Sequence, residues 1–79
     1  MANSNLAEEP YETLANAIVL RAVQDYRAAL KRLKKHPNKK DVENEVIKIE
    51  KFFKSQWYQA LTSVDGEYLI NRLRKEASM

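Results

Sequence analysis

Apolar residues recur along this chain at helical spacing. Placed at about 100° per residue, Tyr11, Ala15, Ile18, Val19, Ala22, Val23, Tyr26, Ala29, Leu30 and Leu33 fall on one continuous face. Pro10 suits the first position of that helix, and Glu12 complements the positive end of its dipole. His36-Pro37 stops the pattern, because a residue before proline is pushed out of the helical region. The first helix is therefore predicted over 10–35. A second stripe, Val42, Val46, Ile49, Phe53, Trp57 and Ala60, predicts a helix over 39–61, with Asn38 as its N-cap and Asp41 as the reciprocal partner. Asp65-Gly66 opens a third helix over 66–77, capped by Asp65, with Leu69, Ile70, Leu73 and Ala77 on its buried face.

Nowhere do apolar and polar residues alternate long enough to make a strand. The short link between the two long helices makes them an antiparallel hairpin. The third helix is expected to cross the end carrying Trp57 and cover the aromatic cluster. The expected architecture is thus all-α: a three-helix bundle built from a long antiparallel helix hairpin and a shorter C-terminal helix. Residues 1–9 read as a flexible tail and 10–77 as a single domain.

Composition narrows the class. A chain of 79 residues has room for one modest core, and 44% hydrophobic residues are too many for a disordered polymer. Small domains often gain stability by self-association, so a homodimer stays open. The absence of Cys removes disulfides and thiolate metal sites, and favours a reducing, cytoplasmic setting. No apolar run approaches the ~20 residues that cross a bilayer, which points away from a membrane partner. Residues 1–5 lack the basic start and apolar core of a signal peptide.

The net charge of +3 is unevenly spread. Residues 1–20 sum to −3, residues 21–40 to +7, residues 41–60 to −1 and residues 61–79 to zero. Such asymmetry raises the question of an anionic partner. Arg27, Lys31, Lys34 and Lys35 share the face opposite the first apolar stripe, where Leu20 and Gln24 extend it, while Arg32 lies off it. Solvation, the helix C-terminal dipole and pairing with acids of the second helix would explain that half of the segment. Lys39 and Lys40 fit less well, since they occupy a first helical turn, where the dipole disfavours cations. With backbone N–H groups at the same helix start they would form an anion-binding corner. Phosphate and a carboxylate patch on a protein are both suitable anions.

Catalytic chemistry finds little support. His36 is the single histidine and has no acidic neighbour to orient it. Ser55, Thr62 and Ser63 stand far from it in sequence, and no nucleophile elbow is present. Glu43, Glu45 and Glu50 read as a solvated helix face, no group has metal-ligand spacing, and one glycine cannot build a phosphate-cradling loop. The expectation is no enzyme, no cofactor and no metal. A second anomaly is aromatic: Ile47, Phe52 and Tyr58 project away from the second stripe. With Leu20 they offer an apolar surface for a dimer or partner, unless the third helix covers them. The outward side of the third helix carries Glu67, Tyr68, Asn71, Arg72, Arg74 and Lys75, types that reach nucleic acid. However, Glu67 falls where a helix-turn-helix reader would contact bases.

The stretch 17–76 resembles small, uncharacterised helical proteins of Gram-positive phages and integrative mobile elements. The residues behind the resemblance are Ala22-Val23-Gln24-Asp25-Tyr26-Arg27, Phe52-Phe53-Lys54-Ser55-Gln56-Trp57, Leu61-Thr62 and Asp65-Gly66-Glu67-Tyr68-Leu69-Ile70. The resemblance implies a helical fold and a mobile-element origin, and transfers no activity. Two readings follow from the sequence. One is an accessory or regulatory module binding an acidic partner, nucleic acid among the candidates, through Arg27, Lys31, Lys34, Lys35, Lys39 and Lys40. The other is a protein-interaction or self-assembling module using Leu20, Ile47, Phe52 and Tyr58.

Overall fold

The computed structural model describes residues 10–79, so the tail expected over 1–9 lies outside the described residues. The fold is all-α, with four helices: α1 (Pro10–Lys35), α2 (Lys40–Phe53), α3 (Gln56–Leu61) and α4 (Gly66–Ala77). There is no strand among the described residues. α1 ends where the proline rule requires, and the His36 amide donates to Arg32 O at 2.9 Å to close its last turn. The Lys39 amide then donates to His36 O, and α2 turns back along α1. Tyr26 bonds to Glu50 and Tyr11 to the carbonyl of Ala60, a pairing order that makes the hairpin antiparallel.

Two local details differ from expectation. The residue flanking α2 is Lys39, which makes no side-chain capping bond, so Asn38 is not the cap. Asp41 instead accepts from the amide of Val42 at 3.0 Å, within its own first turn. The second long helix is also broken at Lys54-Ser55, dividing the predicted element into α2 and α3. Ser55 is the cause. Its backbone is extended, and its hydroxyl donates to Phe52 O at 2.7 Å while accepting from the Tyr58 amide at 3.1 Å. A serine side chain competes with the helical ladder in this way, ending one helix and starting the next.

The break changes which aromatics face inward. In a continuous helix Phe53 and Trp57 would share the core face. Here Tyr58 is 1% exposed and Trp57 60% exposed. Phe53 and Tyr58 meet edge to face at 5.5 Å, and Tyr26 meets Phe53 at 5.6 Å, spacings at which aromatic pairs add to simple burial. Around them Val46, Ala29, Leu30, Ile70 and Leu73 complete the core.

α4 begins as predicted, with Asp65 accepting from the Glu67 amide at 3.2 Å. Gly66 is fixed by proximity: a Cβ there would lie 1.9 Å from the carbonyl oxygen of Phe53. The start of α4 therefore abuts the end of α2, and only glycine permits that approach. The N-terminal half of α1 is looser. Tyr11, Leu14 and Ile18 on the first half of α1 remain exposed, although Tyr11 and Ile18 belong to the predicted core stripe. No helix among the described residues is long and apolar enough to cross a membrane.

Candidate anion-binding surface

α4 lies over the second half of α1, and the seam between them is a cleft of about 580 Å³. Arg27, Lys31 and Lys34 form one wall, with Gln24 a turn before them. Ala28, Leu73, Ala77 and Met79 add apolar lining, with Met79 almost fully exposed. A second depression of about 570 Å³ continues across the outer side of α4. It is lined by Tyr68, Asn71, Arg72 and Lys75 and shares Glu76 and Met79 with the first. The spacing of Tyr68, Arg72 and Lys75 at i, i+4, i+7 puts them on one helical face, a signal readable in the sequence. What the sequence lacked was the crossing that sets this face beside Arg27, Lys31 and Lys34.

The combined surface carries five cationic side chains and one carboxylate side chain. Arg27 holds that carboxylate, with Nε at 2.9 Å and a second guanidinium nitrogen at 3.3 Å from Glu76. Lys34 Nζ donates to the carbonyl of Ala77 at 3.3 Å, complementing the negative end of α4. Lys31, Arg72 and Lys75 have no carboxylate partner among the described residues, where the ion pairs are Arg21–Asp25, Arg27–Glu76 and Arg74–Glu50.

The six cations singled out from the sequence thus separate into two groups. Arg27, Lys31 and Lys34 converge on the cleft. Lys35, Lys39 and Lys40 sit exposed around the hairpin turn, outside that cleft. They too lack ion pairs, since none of the acids of α2 reaches them. Asp41 and Glu43 in the same first turn offset the two lysines electrostatically, and the Asp41 carboxylate already occupies the Val42 amide. The start of α2 is therefore partly filled as an anion site.

Arg74, read from the sequence as outward-facing, turns inward instead. Its Nε and one terminal nitrogen reach the same oxygen of Glu50, at 2.8 and 2.6 Å, and that oxygen also accepts from the Tyr26 hydroxyl. Burial pushes the Tyr26 hydroxyl far above its ordinary range, aided by its bond to Glu50 and the carboxylate's charge. For Arg74, burial acts to lower the pKa, but the hydrogen bonds and charges of Glu50 and Tyr26 outweigh it and the net direction is upward. Glu50, taken for a solvated face, thus joins α1, α2 and α4. The Tyr58 hydroxyl, by contrast, is buried without a partner among the described residues, and its pKa is raised by burial and then by the nearby charge of Asp65.

The apolar interface set also divides. Leu20 and Ile47 are exposed, Phe52 is half-buried, and Tyr58 is withdrawn into the core by the Ser55 break. Trp57 takes its place outside, stacked edge-on against Phe52 at 5.4 Å. With Ile18, Ala22 and Ile49 these two rings form a shallow apolar cleft of about 280 Å³. Comparison of the chain with protein-family models, with curated proteins and with solved structures finds no match.

Proposed function

We propose that this protein is a non-enzymatic binding module whose α1–α4 surface receives an anionic partner. The observation that carries the reading is the set of cations without acidic partners on one continuous surface: Lys31, Arg72 and Lys75, flanked by Arg27 and Lys34. Arg74, on the other side of the same helix, is by contrast paired with Glu50. Unpaired like charges brought together repel one another, so their clustering fits a surface completed by an opposite charge. Lys35, Lys39 and Lys40 contribute long-range attraction from the adjoining turn. A mobile-element origin, which the resemblance of residues 17–76 implies, is compatible with such a module. Elution from immobilised heparin tests this reading. Lys31→Glu combined with Lys75→Glu is expected to elute at markedly lower salt than Lys39→Glu combined with Lys40→Glu. Equal elution of both pairs would remove the α1–α4 surface from the account.

A second reading rests on Trp57, a large ring left 60% exposed beside Ile18 and Phe52. Exposed aromatic clusters of this kind serve as anchors between proteins. Sedimentation of the wild type and Trp57→Ala at several concentrations tests it for self-association. A concentration-independent monomer removes the homodimer form.

A further inference from the structure

We infer that the anion received between α1 and α4 is a single-stranded nucleic acid, with one base stacked on Tyr68; this rests on the anionic-partner reading given above. A cation-lined groove alone would suit many polyanions. Three features narrow the class. Tyr68 is 56% exposed on the same face of α4 as Arg72 and Lys75, so a flat aromatic surface stands beside two positive charges. That pairing of stacking platform and backbone cations is the one single strands use, because every base has a π-face and every linkage a charge. The seam is lined by the apolar Ala28, Leu73 and Ala77 as well as by the cationic Arg27, Lys31 and Lys34, a combination that suits the bases and phosphates of one strand. Gln24 and Asn71 add amide groups able to donate to and accept from base edges.

A duplex fits less well. Its bases are read by an element entering a groove, commonly through the N-terminal residues of a helix. Here the N-terminal end of α4 carries Asp65 and Glu67, both exposed, which would meet phosphates with negative charge. The cations sit instead toward the C-terminal half of α4 and in its seam with α1.

Fluorescence anisotropy of the full chain tests the inference, using a labelled single strand of about 12 nucleotides, the matching duplex and labelled polyglutamate. The single strand is expected to bind at low salt at least about tenfold more tightly than the duplex. Tyr68→Ala should weaken binding by about tenfold or more, and Tyr68→Phe should retain it, since the stacking surface and not the hydroxyl is used. The slope of log affinity against log salt should be no steeper than about −3.5 for five contacts, and Lys75→Ala should reduce it by about 0.7. Circular dichroism checks that each variant is folded. Equal or tighter duplex binding, or no loss in Tyr68→Ala, overturns the single-strand inference and leaves the anionic surface standing. Binding of polyglutamate without binding of either nucleic acid overturns it in favour of an acidic protein. Failure of all three probes at low salt overturns both the inference and the reading beneath it.

Discussion

Two sets of cationic side chains flank α4, and they live in different electrostatic company. On the inner side, Arg74 is held by Glu50, which also receives the Tyr26 hydroxyl, so three helices meet at one carboxylate oxygen. On the outer side, Arg72 and Lys75 join Arg27, Lys31 and Lys34 around one carboxylate side chain, that of Glu76. The inner group is what a fold needs: the Glu50 carboxylate, only 17% exposed, must find partners, or the cost of desolvation is unrecovered. In the outer set only Arg27 and Lys34 bond across to α4, while Lys31, Arg72 and Lys75 form no ion pair among the described residues. Stability and binding should therefore separate cleanly between the two sides of one twelve-residue helix.

The largest effect on the inner side is expected from Gly66→Ala. A methyl group 1.9 Å from the Phe53 carbonyl oxygen forces the start of α4 away from the end of α2, at a cost of about 3 kcal/mol. Chemical denaturation measures it; a loss below about 1 kcal/mol would mean the two ends are not in contact. Glu50→Ala follows, at about 2 kcal/mol, because it strands the Tyr26 hydroxyl and leaves Arg74 half in solvent. The same network sets the alkaline limit. The Tyr26 and Tyr58 hydroxyls ionise at higher pH in the fold than in the unfolded chain, so the folded protein binds more protons once pH passes the ordinary tyrosine value of about 10. Below that pH their contribution to stability is fully present; above it stability falls as pH rises. Denaturation midpoints at neutral pH and above pH ~10 should show this loss, and Tyr26→Phe should diminish it. The smallest stability effect belongs to the outer side: Lys31→Ala and Lys75→Ala should each stay within about 0.5 kcal/mol of the wild type. A larger loss would make those lysines structural.

The outline of the fold was legible because its punctuation is unambiguous. Pro37 can only end α1, and Asp65 before Gly66 is a helix start with a physical mechanism. Ser55 was not legible in the same way. A serine inside an apolar helical pattern is tolerated as often as it caps, and its hydroxyl decides between the two only once Phe52 O and the Tyr58 amide are in place. That one residue exchanged Trp57 for Tyr58 in the core, and with them the expected interface. The basic surface was half legible. Helical spacing aligned Arg27, Lys31 and Lys34, and separately Arg72 and Lys75, but periodicity says nothing about which helix faces meet. Glu50 and Arg74 are likewise 24 residues apart, beyond the reach of any local pattern.

The separation between the two sides of α4 is tested most directly by an NMR titration of the isotopically labelled full chain with a heparin oligosaccharide at low salt. The account predicts shifts concentrated at Arg27, Lys31, Lys34, Arg72 and Lys75, with Tyr26, Glu50 and Arg74 unmoved. Shifts confined to the Lys35–Lys40 turn or to the Ile18–Trp57 cleft, or no shifts at all, would contradict it.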